Sequence, residues 1–156
     1  MNLPLLEMST ALWAAVLADL RRQSRGVRES GCFLLGNLGE TRTALEFVAY
    51  DELDPDSLNY RYVRLETETF AKLWTRCEER GLTVVADVHT HPFGPAQSRS
   101  DRANPMIALP GHLALIVPSF AKGEVLPQDL SVNVHLGASQ WSSHFGADAA
   151  ARLSLT

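Results

Sequence analysis

Cysteine is scarce in this chain: there are two, Cys32 and Cys77, and they form no C-x-x-C pair. This argues against a disulfide framework and points to two reduced, buried thiols in an intracellular protein. Long apolar runs are missing as well, and no segment approaches the length needed to cross a bilayer. The opening MNLPLLEMST lacks the basic start and long apolar core of a secretory signal. The expected compartment is therefore the cytoplasm, with no membrane partner. Basic character is in short supply too, since 14 Lys and Arg face 18 Asp and Glu, for a formal net charge of −4. A nucleic-acid surface needs clustered cations, so nucleic acid is not an expected partner. The densest basic group, Arg21, Arg22, Arg25 and Arg28, falls near the end of an expected helix, where cations complement the dipole. No internal repeat, low-complexity tract or linker divides the chain, and a single domain over 1–156 is expected.

What is present suits a globular domain. The 156 residues are 46% hydrophobic and 21% charged, enough to bury a core without disulfides or a structural metal. Any metal here would serve chemistry rather than rescue the fold. Helical periodicity places Trp13, Val16, Leu17 and Leu20 on one face of residues 10–24, with Ser9 as N-cap and Gly26 as stop. The run GCFLLG (31–36), the turn GNLGE and TALEFVAY (43–50) predict an antiparallel hairpin. Residues 51–59 read as a loop and 60–63 as a short strand. A helix over 67–80 carries Phe70, Leu73, Trp74 and Cys77 on one face and stops at Gly81. Strands are predicted at 82–89, 112–119, 130–136 and 139–145, followed by a short Ala-rich helix. The fold class is α/β (mixed α+β), one central mixed sheet flanked by helices.

Within this frame HTHPFGPAQSRSD (89–101) stands out. Alternate residues of a strand face the same way, so His89 and His91 point to one side if the strand runs that far. Two imidazoles so placed can reach one ion about 2 Å from their nitrogens. Asp87 shares their face and is a candidate to support a ligand histidine; a solvent-facing Asp at a strand end is the alternative. Ser98 and Asp101 match the S-x-x-D pattern of a helix cap, but Pro105 confines any helix there to a short turn. Capping explains none of the histidines.

His-Thr-His, six residues from Pro92 to Gln97, then Ser98-x-x-Asp101 resembles the metal-binding signature of the JAMM zinc metalloprotease family, whose domain is the JAB/MPN fold. That family also carries a glutamate ahead of its first strand, and Glu29 in ESGCFLLG occupies that place. The resemblance runs in element order from about residue 10 to residue 145. It implies one zinc ion (Zn2+) per chain held by His89, His91 and Asp101, with the fourth zinc position open. It implies Glu29 as general base and Ser98 as hydrogen-bond donor to the oxyanion. His112, His135 and His144 lie in or beside other strands and read as structural or exposed.

Members with these residues intact cleave peptide or isopeptide bonds after the C-terminal tail of ubiquitin or a ubiquitin-like protein. The compact chain, together with GHLALIVPSFA and Trp141, is most similar to stand-alone bacterial members linked to ubiquitin-like conjugation and antiviral operons with E1-like and E2-like proteins. The expected activity is deconjugation or precursor processing of such a protein. A metallo-carboxypeptidase trimming a sulfur-carrier protein of ubiquitin fold, or small peptides, is the nearest alternative. A non-catalytic MPN scaffold and a DNA-repair relative are disfavoured, the first by the five intact positions and the second by the acidic balance.

Overall fold

The architecture grows from a chain whose central strands (Gly31–Asn37, Thr83–Thr90 and Leu113–Val117) are buried on both faces. A computed structural model of the protein describes residues 4–59 and 63–156. Its elements in order are β1 (Leu6–Met8), α1 (Thr10–Ser24), β2 (Gly31–Asn37), β3 (Arg42–Ala49), α2 (Tyr50–Leu53), α3 (Thr67–Arg80), β4 (Thr83–Thr90), α4 (Arg99–Ala103), β5 (Leu113–Val117), β6 (Ser131–Gly137), β7 (Gln140–Phe145), α5 (Gly146–Ala151) and β8 (Leu153–Leu155). The strands make one eight-stranded mixed sheet in the order β7-β6-β5-β4-β2-β3-β1-β8.

Alternation along β2 divides the core in two. Cys32 and Leu34 join Trp13, Val16 and Leu20 under α1, while Phe33 and Leu35 join Tyr50, Leu73 and Cys77 under α2 and α3. Both cysteines are free and buried, and burial raises both thiols above their ordinary range. Residue 31 has to be glycine, because a Cβ there would lie 2.3 Å from Cε2 of Tyr50. The Tyr50 ring therefore closes over the backbone at the start of β2.

Most elements fall where periodicity placed them, with four differences. The α1 helix ends on Arg25, itself left-handed at φ 51°, one residue before the expected Gly26. A single helical turn, α2, occupies part of the expected 51–59 loop. Trp74 is 48% exposed, at the rim of the buried face of α3 rather than within it. The terminal strands β1 and β8 were not foreseen; β1 pairs in parallel with both β3 and β8. The strand expected at 60–63 falls largely outside the described residues.

The central pairings set up the site. Strand β4 runs antiparallel to β2 and parallel to β5, with Asp87 opposite Phe33 on one side and Ala114 on the other. Regular β4 stops at Thr90, but His91 continues the ladder by donating its N–H to the Val117 carbonyl at 3.0 Å. That added rung keeps His91 in register with His89.

Candidate metal centre

Three parts of the fold supply the candidate residues. His89 and His91 leave the end of β4 on the α3 face, and their Nε2 atoms approach to 3.2 Å. Asp101 comes from the short α4, where Ser98 is the N-cap. The Ser98 N–H donates to Asp101 Oδ2 at 2.8 Å, and the Asp101 N–H donates to Ser98 Oγ at 3.0 Å, a complete capping box. That box aims the carboxylate at the histidines: Oδ2 lies 3.0 Å from His91 Nε2 and Oδ1 lies 3.5 Å from His89 Nε2. The helix ends at Ala103, ahead of Pro105, as the sequence requires. Trp141 on β7 fastens the end of α4 by donating its indole N–H to the Arg102 carbonyl at 3.0 Å.

Glu29 enters from the segment before β2, with its Oε1 3.8 Å from His91 Nε2. A buried hydroxyl cluster holds that segment. Thr90, the residue between the histidines, points to the opposite face of β4. There its Oγ1 accepts the Ser30 N–H at 3.0 Å and lies 3.1 Å from Ser30 Oγ and 3.3 Å from Ser24 Oγ. Ser24, Ser30 and Thr90 are all fully buried. The residue next to Glu29 is thus pinned to the strand that carries both histidines.

One ligand atom from each of His89, His91 and Asp101 lies within 4.8 Å of the others, the only such group of three among the described residues. Two imidazoles and one carboxylate are a donor set suited to a divalent ion with a remaining open position. Electrostatics agree. Asp101 sits well below the usual carboxylate range: burial would raise it, but hydrogen bonds with His89 and His91 outweigh that. Burial would lower the His89 imidazole, yet Asp101 and Asp87 push it up to about 10. Both shifts favour positive charge between the imidazoles and the carboxylates, a condition that a bound cation also meets. Glu29 is shifted the other way, its carboxyl raised chiefly by burial, with Asp101 adding and the two histidines opposing.

These groups open onto a cavity of about 440 Å³ lined by Glu29, His89, Asp101, Met106, Ala114 and Trp141. Asp87 does not face solvent: it is 2% exposed and lies against His112. His112 is buried with it. His135 meets Trp141 edge-to-face with centroids 4.8 Å apart, and His144 pairs with Asp148 at 2.7 Å. None of these three histidines joins the ligand group. The sequence alone did not single out Thr90 or Ser30, and it marked His112 as structural or exposed without linking it to Asp87. A threonine at the middle of H-x-H is itself a signal, because strand alternation must turn it to the opposite face.

Fold and site together define a mixed α/β domain with a candidate His-His-Asp metal centre at the end of a central strand. The chain belongs to the prokaryotic homologs of the JAB domain, whose family pattern it matches over residues 9–129. That family includes metalloproteases. Among solved structures it is similar to a protein of Desulfitobacterium hafniense, with 14% identity and TM-score 0.69 over 97% of this chain and 92% of that one. A Salinibacter ruber protein is also similar, with 19% identity and TM-score 0.59 over 87% of this chain and 86% of that one. At these identities the likeness is one of fold. No helix among the described residues is long and apolar enough to cross a membrane.

Proposed function

We propose that this protein is a zinc-dependent peptidase or isopeptidase that cleaves after the C-terminal tail of a ubiquitin-like protein in the cytoplasm. The observation that carries the reading is the convergence of His89, His91 and Asp101 beside the Glu29 carboxylate, in an open cavity. The three ligands would hold one zinc ion, which supplies Lewis-acid polarisation of a carbonyl and acidification of water. Glu29 takes the proton of the attacking water and returns it to the leaving amine as the C–N bond breaks. A carboxyl raised by burial suits a group that must first accept a proton and then release it. The Ser98 oxygen accepts the Asp101 N–H, which leaves the hydroxyl proton free to donate to the oxyanion of the tetrahedral intermediate.

An extended tail can add beside a sheet edge and lead its last residue to such a centre. Val63, ahead of α3, and Gln97, in the loop between β4 and α4, both line the cavity. E1-like and E2-like proteins of a bacterial conjugation or antiviral system are the partners this activity implies.

The test is a Glu29→Gln variant assayed against a ubiquitin-like precursor extended beyond its terminal glycine, with a short-peptide series alongside. Cleavage should be lost while about one zinc per chain remains bound. Activity within tenfold of wild type would remove Glu29 from the reaction. Efficient cleavage of peptides alone would favour a carboxypeptidase.

A further inference from the structure

Below the ligand histidines lies a buried acid–imidazole pair that the reaction above does not use. Asp87 Oδ2 and His112 Nε2 are 2.7 Å apart, and both side chains are 3% exposed. Asp87 is brought there by β4, two residues before His89 and on the same pleat. His112 directly precedes β5, the parallel neighbour of β4. A carboxylate only accepts hydrogen bonds, so His112 Nε2 carries the proton and donates it. That bond uses one carboxylate oxygen and fixes the direction of the other.

The second oxygen has an evident recipient. Asp87 Oδ1 is 3.7 Å from His89 Nδ1, and that nitrogen is buried with no hydrogen-bond partner. The other nitrogen of the ring, Nε2, faces His91 Nε2 at 3.2 Å and Asp101 Oδ1 at 3.5 Å. A neutral imidazole that offers its Nε2 lone pair to a cation keeps its proton on Nδ1. That N–H would be stranded in the interior unless Asp87 accepted it, and a small tilt of the ring closes the distance.

We propose that His112 and Asp87 form a positioning chain for the metal centre, His112 orienting Asp87 and Asp87 holding His89 in the tautomer and rotation that present Nε2 to the ion. The inference rests on the reading of His89, His91 and Asp101 as metal ligands. It adds two residues to the centre, one of them from the segment leading into β5, which contributes no ligand. A purely structural pair would affect the stability of the metal-free fold and leave affinity for the ion alone. A positioning chain weakens affinity beyond any change in that stability.

The experiment measures zinc affinity by competition with a chromophoric chelator, alongside thermal unfolding of the metal-free proteins. Asp87→Asn, similar in shape, and His112→Leu should each bind zinc about 10- to 100-fold more weakly than wild type while remaining folded. His112→Gln, which retains an N–H for Asp87, should recover most of the loss. Folded Asp87→Asn and His112→Leu proteins that bind zinc within about threefold of wild type would overturn the inference while leaving the metal reading intact. Wild-type protein that binds no zinc would overturn both. Should the variants not fold, the zinc-loaded wild type decides by long-range proton–nitrogen correlation of its imidazoles. A protonated Nδ1 on His89 supports the chain, and coordination through Nδ1 refutes it.

Discussion

Thr90→Val is a sharp test of how this fold places its proposed base. Valine nearly matches threonine in shape, so the change removes one hydroxyl and little packing. In the wild type that oxygen accepts the Ser30 N–H at 3.0 Å and meets the hydroxyls of Ser30 and Ser24 at 3.1 and 3.3 Å. The two serines keep each other at 2.7 Å, and Ser30 Oγ keeps the Leu20 carbonyl at 3.1 Å, so neither hydroxyl is orphaned. The Ser30 N–H is, because it loses its acceptor in a fully buried position. Leaving such a donor unpaired costs about 1–3 kcal/mol. At about 2–4 °C per kcal/mol for a chain of this size, the midpoint of thermal unfolding should fall by about 2–12 °C. The functional effect should be more selective. Ser30 follows Glu29 directly, while His89, His91 and Asp101 are untouched, so zinc affinity should hold while cleavage slows. Displacing a reacting group by about 1 Å costs on the order of a hundredfold in rate. Calorimetry, zinc competition and precursor cleavage on one preparation separate these effects. An unchanged midpoint with unchanged cleavage would refute the clamp, and a fall in zinc affinity equal to the fall in rate would place Thr90 in the ligand geometry instead.

Gly31→Ala puts a methyl 2.3 Å from the Tyr50 ring and should cost about 1–3 kcal/mol, read as a lower urea midpoint; no change would mean that Tyr50 moves aside freely. The metal-free protein should also show a defined pH profile. His89 is raised to about 10, above its unfolded value near 6.5, so its contribution is full below about pH 6.5 and fades as the pH climbs toward 10. Asp101 is depressed, so its contribution is full above its unfolded value of about 3.9 and is lost as the pH falls below it. Metal-free stability should peak between these limits, and urea midpoints that do not change from pH 5 to pH 10 would contradict the assigned contacts.

What could be read from the chain, and what could not, divides by sequence separation. Both long helices carry their own signals: α1 its Ser9 cap, bonded to the Leu12 N–H at 3.0 Å, and α3 its left-handed Gly81. The candidate ligand group was legible for the same reason, since strand alternation and a capping pattern bring His89, His91 and Asp101 into one short stretch. Strands β1 and β8 are three residues each, too short for any period to show. They exist because opposite ends of the chain meet, with the Thr10 N–H bonded to the Thr156 carbonyl. The pairing of His112 with Asp87 was hidden in the same way. No local pattern reveals that β5 lies parallel to β4 with Ala114 beside Asp87, and without that register His112 is merely a histidine ahead of an apolar run. The proposed centre therefore has two layers of different legibility. Ligand atoms must converge on one point, which short-range geometry achieves cheaply and which leaves a motif. The groups proposed to position the base and one ligand, Thr90 behind Ser30 and His112 behind Asp87, need only touch a neighbouring segment, and any fold that brings a suitable side chain there will serve. A single sequence thus displays the chemistry of this site more openly than the mechanics that keep it in place.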